Sequence, residues 1–308
     1  MIWSVLFGLG CIGGLGDGLG DGKADKDRGD DTETTTDDSG GGDDSGGGDD
    51  DTPSLRWLSF SGTCSGRDLT FNDVPPGPVA LWFTYEYDGS WAANPGGGMS
   101  TALDEATGVL TVPCGSGNDI APGLDVRVSL GYPALDLPSG DDLKARVLTT
   151  VCDAAEKTLA EDVSMDFLSL GFTYVQKSDG ALALNPPMGM STVVNDGVAT
   201  VPCGGGGNSV PSGDTVHLTA LSTNDGDKLR WQSFVGTCGG DDLRFDADPG
   251  AVAVSFQQVY QGTTTLSVNT GGGMSGTLSA DGEVLVPCGD GNDIAPGAEV
   301  RVALGYPR

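Results

Sequence analysis

Leu55-Arg-Trp-Leu-Ser-Phe-Ser-Gly-Thr-Cys-Ser-Gly66 and Leu229-Arg-Trp-Gln-Ser-Phe-Val-Gly-Thr-Cys-Gly-Gly240 are two copies of one text. A second shared text follows each of them. It runs from Val112-Pro-Cys-Gly to Leu-Gly-Tyr-Pro133 in the first copy and from Val286-Pro-Cys-Gly to Leu-Gly-Tyr-Pro307 in the second. Between them, Leu143 to Ser222 keeps the same frame with a worn text: Ala145 stands where the others have Trp57 and Trp231. The cysteines mark the frame, because Cys64 and Cys114, Cys152 and Cys203, and Cys238 and Cys288 are separated by 50, 51 and 50 positions. A repeat of this kind is one structural unit used three times, so 308 residues need not mean one large core.

Inside each unit the apolar residues alternate, which is the period of a strand. Val79, Leu81, Phe83 and Tyr85 form one such run, Leu168, Leu170, Phe172 and Tyr174 the next, and Val252, Val254 and Phe256 the third. Hairpin turns are expected at Asp104–Gly108, Asn195–Gly197 and Ala280–Gly282, where Asp-Gly and Asn-Asp-Gly text supplies the positive φ that tight turns require. A last strand is expected at Val126–Leu130, Val216–Leu221 and Val300–Leu304. The only helical signal is a short run at Asp153–Ala160.

The fold class expected is therefore all-β, with three tandem small β-sandwich domains at 53–133, 143–222 and 229–308. The acidic segments 134–142 and 223–228 read as linkers. A long-range cysteine pair in each unit resembles the immunoglobulin-type architecture, in which a tryptophan on a core strand packs on the bridge. Trp82 follows Cys64 at a suitable distance, while Gly171 and Ser255 hold the matching places. The near-constant spacing at matching places of the repeat implies disulfides 64–114, 152–203 and 238–288. In the chain-entropy picture each would add about 4 kcal/mol, so reduction is expected to unfold the units one by one.

The composition bounds the function. The net charge is −29, of which −11 falls on residues 12–52 and leaves −18 for residues 53–308. Such a chain repels phosphate backbones, so no nucleic-acid partner is expected. Residues 12–52 are nearly all Gly, Asp, Ser and Thr and cannot enter a core, so a disordered tether spanning roughly 35 Å is expected there.

Residues 1–10 are an apolar run too short to span a membrane and read as an export signal. With six cysteines paired, Cys11 is left over. Leu9-Gly10-Cys11 resembles the lipobox of bacterial lipoproteins, although no Lys or Arg precedes the apolar run. The resemblance implies a signal peptide at 1–10, a lipidated Cys11 and a tether at 11–52. The partner implied is the membrane, reached through that lipid anchor, with the protein held at the outer membrane on the cell surface or in the periplasm.

No enzyme is expected. The single histidine, His217, cannot supply a triad in the other units. Gly115-Ser-Gly-Asn-Asp-Ile120 and Gly289-Asp-Gly-Asn-Asp-Ile294 resemble the calcium-binding nonapeptide of RTX proteins, which makes Asp119 and Asp293 candidate calcium ligands. Read from the residues alone they are Gly-rich turns, with Asn118, Asn208 and Asn292 bonding locally, and no metal or other cofactor is expected. The methionines at 99, 190 and 274 are expected to fill core gaps. The role expected is structural, spacer or adhesive, with an envelope protein or glycan as partner. The alternative is a glycan-binding module using Trp57, Trp82, Trp91 or Trp231 as a stacking platform, with core packing favoured for Trp57 and Trp231.

Overall fold

The computed structural model describes residues 54–308 apart from 88, 94–100, 118, 154, 160–162, 185–191, 205–208, 260–261, 268–275 and 292. Cys11, the apolar run and the acidic segment lie outside the described residues. So do Met99, Met190 and Met274, and Asn118, Asn208 and Asn292.

The described chain is all-β. The first unit supplies β1 (Leu55–Thr63), β2 (Leu69–Phe71), β3 (Ala80–Tyr87), β4 (Ser90–Ala93), β5 (Ala102–Asp104), β6 (Val109–Val112) and β7 (Asp125–Pro133). The second supplies β8 (Lys144–Val151), β9 (Glu156–Thr158), β10 (Ser169–Val175), β11 (Leu182–Ala183), β12 (Thr192–Asn195), β13 (Val198–Pro202) and β14 (Thr215–Ser222). The third supplies β15 (Arg230–Thr237), β16 (Leu243–Asp246), β17 (Ala253–Val259), β18 (Thr265–Ser267), β19 (Thr277–Leu278), β20 (Glu283–Val286) and β21 (Glu299–Tyr306). The run at Asp153–Ala160 holds strand β9 and not a helix, because Glu156–Thr158 pairs with Thr200–Pro202 and the sheet overrides a weak local preference. The turns form as expected, with Gly108, Asp196, Gly197 and Gly282 at positive φ.

The strands assemble into three seven-stranded antiparallel sheets, and every sheet crosses a repeat boundary. Their orders are β1-β7-β3-β4-β12-β13-β9, β8-β14-β10-β11-β19-β20-β16 and β15-β21-β17-β18-β5-β6-β2. Four strands of one unit thus continue into three of the next: β4 pairs with β12, β11 with β19, and β18 with β5. The third crossing returns to the first unit, so the repeats close a ring. They are not beads on linkers. Each sandwich core also takes a piece of its neighbour: Leu266 of β18 enters the first core, Trp91 and Ala93 of β4 the second, and Leu182 of β11 the third.

The two segments read as linkers are ties. Trp57 and Asp141 exchange both backbone hydrogen bonds at 2.9 Å, and Ala145 and Asp227 do the same at 2.8 and 3.0 Å. Leu137 is buried in the first core. The disulfides Cys64–Cys114, Cys152–Cys203 and Cys238–Cys288, with Cα–Cα distances of 5.4, 5.4 and 5.5 Å, join the two layers of each sandwich. They are the bridges of a chain that matures in an oxidising, extracytoplasmic compartment.

The immunoglobulin-type place for Trp82 is corrected. On β3, Leu81, Phe83 and Tyr85 face their own sandwich, whereas Ala80 and Trp82 face a fourth cluster shared by all three units. Trp57, Trp82 and Trp231 meet there, with ring centroids 5.4 to 6.0 Å apart. Strands β3, β10 and β17 are buried on both faces, by a sandwich core on one side and by each other on the other.

Candidate functional site

The three junctions between units are where the described chain departs most from simple sandwich packing, and one strand position reaches across two of them. The shared text Val-Arg-Val on β7 and β21, and its counterpart Val-His-Leu on β14, puts Arg127, His217 and Arg301 at equivalent places. Arg127 and Arg301 project from the strand next to the sheet edge into the neighbouring unit, whereas His217 bonds within its own.

Arg301 reaches from the third unit into the first. Its Nη1 donates to the Pro78 carbonyl at 2.8 Å, and it forms a two-pronged pair with Glu105 at 2.7 and 2.8 Å. Nε donates to Glu299 at 2.8 Å. With its side chain only 9% exposed, Arg301 forms a fully partnered buried pair, strong because the geometry is bidentate and the carbonyl takes a further donor.

Arg127 does the same from the first unit into the second with different partners. Its Nη1 donates to the carbonyls of Met165, at 3.2 Å, and Phe167. The guanidinium lies 4.0 Å from the Trp91 ring centroid and 4.5 Å from that of Phe167. Burial lowers its pKa from the usual value, while Asp125, Asp166 and Glu86 act in the opposite sense. Two cavities adjoin at this side chain: one of about 240 Å³ lined by Ser61, Trp91 and Asp125, and one of about 270 Å³ lined by Phe60, Met165 and Asp166.

His217 is the odd member. It is buried, with Nδ1 2.9 Å from the Thr149 hydroxyl, and burial pushes its pKa down to about 4. A neutral ring at this place needs no carboxylate partner. The sequence did not identify Arg127 or Arg301, although the repeated Val-Arg-Val was the available signal.

The aromatic platform is overturned. Trp57, Trp82, Trp91 and Trp231 are all buried, at 1%, 4%, 7% and 4% exposure, so no indole face stands free to stack on a sugar. Trp91 lies under Arg127 and edge-on to Phe167, because β4 enters the core of the next unit.

Asp119 and Asp293 sit in loops closed by paired bonds, Gly115 to Ile120 and Ile120 to Pro113 in one, Gly289 to Ile294 and Ile294 to Pro287 in the other. Each carboxylate folds back over the loop glycine. A Cβ on Gly115 would stand 2.9 Å from Asp119 Oδ2, and one on Gly289 3.3 Å from Asp293 Oδ2. Among the described residues no three His, Cys, Asp or Glu side chains come together as a metal group, and no helix is long and apolar enough to cross a membrane. Comparison with protein-family models, curated proteins and solved structures found no match.

Proposed function

We propose that the protein is a bacterial envelope lipoprotein: Cys11 carries the lipid, residues 12–52 are an acidic spacer, and the closed β-ring is a head with a structural or adhesive role at the cell surface. The observation that carries this reading is the cysteine count. Three disulfides use six of seven cysteines, and the seventh stands in Leu9-Gly10-Cys11 behind an apolar run. Two or more acyl chains would anchor such a head stably where one would bind only marginally. A ring stapled between its layers suits an oxidising compartment, and the spacer carries a net charge of −11.

The test is fractionation of cells making the full chain and its Cys11→Ser form. The reading requires the wild type in the membrane fraction with an acylated N-terminal cysteine by mass spectrometry. The variant should be soluble and unacylated. Membrane recovery of both forms to the same extent contradicts it.

A further inference from the structure

Arg127 and Arg301 hold equivalent places in the ring, but their surroundings differ in one respect. Nη1 of each donates to the carbonyl of a matching residue, Pro78 in the first unit and Phe167 in the second. Arg301 then fills its other donors with the carboxylates of Glu105 and Glu299. Both carboxylates are missing at Arg127. Asp125 stands where Glu299 does, one methylene shorter, and accepts from the Thr63 hydroxyl instead. The hairpin that presents Glu105 turns through residues 105–108, whereas its counterpart turns through Asp196 and Gly197 alone. Met165 caps that shorter turn, its Sδ accepting from the Gly197 N–H at 3.2 Å. Among the described residues no carboxylate pairs with Arg127, and its Nε and Nη2 donate to none of them. Space adjoins the guanidinium: the cavities of about 240 and 270 Å³ share Arg127 and Ser61 in their walls. Ser61 is the strand partner of Arg127, in the place that Val235 takes beside Arg301. Ser61, Thr63 and Asp166 are exposed, so the space opens to solvent.

We propose that this junction is a binding site for a free α-amino acid, whose carboxylate takes on Arg127 the place that Glu105 holds on Arg301. The planar guanidinium offers Nε and Nη2 side by side, a fork that matches a carboxylate bidentately. Two backbone carbonyls and the rings of Trp91 and Phe167 already hold that fork in place, so binding loses little side-chain freedom. The surroundings select a ligand that carries its own cation. Asp125, Asp166 and Glu86 act on Arg127 from a distance, and the whole chain has a net charge of −29, so a simple anion is opposed. A zwitterion is not. Its ammonium group finds Asp166, in the wall of the larger cavity, whose carboxylate takes no hydrogen bond among the described residues. Neither cavity alone reaches the roughly 300–1,000 Å³ common for small-ligand pockets. Two that meet at Arg127 accommodate the charged groups in one and a short side chain in the other, beside Ser61 and Thr63. The proposal holds whether or not Cys11 is lipidated.

The experiment is isothermal titration calorimetry of the full chain with the standard L-α-amino acids, one at a time. Saturable one-to-one binding of at least one of them is expected. Its amide, which lacks the carboxylate, and its N-acetyl derivative, which lacks the cation and resembles a peptide C-terminus, should each bind at least tenfold more weakly. Three variants test the residues. Arg127→Lys keeps the charge and loses the fork, and Asp166→Asn removes the partner of the ammonium group. Asp125→Glu supplies in the chain itself the carboxylate that Glu299 gives Arg301, and so competes with the ligand. Each should weaken binding at least tenfold. The last two change exposed or half-buried side chains, so they remain informative if Arg127→Lys fails to fold. No saturable binding of any amino acid overturns the proposal. Equal binding of the amide or of the N-acetyl derivative, or unchanged affinity in Asp166→Asn and Asp125→Glu, overturns it as well.

Discussion

Trp82, Gly171 and Ser255 occupy one position in three units and meet where those units converge. The indole fills the space left by the other two. A Cβ on Gly171 would lie 2.7 Å from the Trp82 ring. Trp82 Nε1 donates to the Val254 carbonyl at 3.0 Å, and the Ser255 hydroxyl bridges the Leu81 N–H and C=O at 2.8 and 3.0 Å. A similar exchange explains the worn second repeat: where β1 and β15 set a tryptophan opposite glycine, β8 and β14 set Ala145 opposite Leu221. The substitutions looked like drift because compensation across strands has no local signature. Trp82→Ala is expected to cost about 3–5 kcal/mol in urea unfolding, with a non-additive Trp82→Ala/Gly171→Ala double mutant. Ser169 matches Ala80 and Ala253, but its buried hydroxyl has no hydrogen-bond partner among the described residues. Ser169→Ala should therefore raise stability by about 1 kcal/mol by the same measurement. His217 has its folded pKa near 4, below its usual 6.5, so its neutral form favours the fold. That contribution is complete above about pH 6.5 and is lost as pH falls toward 4, worth up to about 3 kcal/mol. His217→Gln should flatten the stability curve in that window relative to wild type. Parallel curves would reject the assignment.

At the scale of elements, the strands and hairpins were legible in the sequence and their partners were not. Period-two runs and Asp-Gly turns are local text, so β3, β10 and β17 could be read off directly. The pairings of β4 with β12 and β18 with β5 join segments about 100 residues or more apart, and nothing local specifies them. The double burial of β3, β10 and β17 left a trace in Ala-Leu-Trp-Phe-Thr-Tyr and its counterparts, which carry no charged residue on either face although β17 buries Gln257 and Gln258. Trp91 misled because a tryptophan beside a turn reads as exposed until the neighbour's core closes over it. These crossings also change what the disulfides do. Removing the 152–203 bridge by Cys152→Ala/Cys203→Ala should cost the whole ring about 4 kcal/mol, because β12 and β13 extend the sheet begun by β1. The expectation of units unfolding one by one is replaced by loss of the ring as a body, visible as a single lowered midpoint.

At the scale of the molecule, closure follows from small units that cannot finish their own cores. Each sandwich of about 80 residues borrows a strand from its neighbour, and Arg127 and Arg301 lock two of the three junctions by charge. Arg301→Ala, which strands Glu105 in a mostly buried place, is expected to cost about 3–5 kcal/mol by denaturant unfolding. A ring with no independent parts resists proteolysis, since local opening is its first step. The most direct test of the ring is differential scanning calorimetry of the disulfide-intact chain. One transition is predicted, with calorimetric enthalpy equal to the van't Hoff enthalpy, because no unit can melt without breaking a sheet of the next. Three separable transitions, each with the enthalpy of about 80 residues, would contradict it.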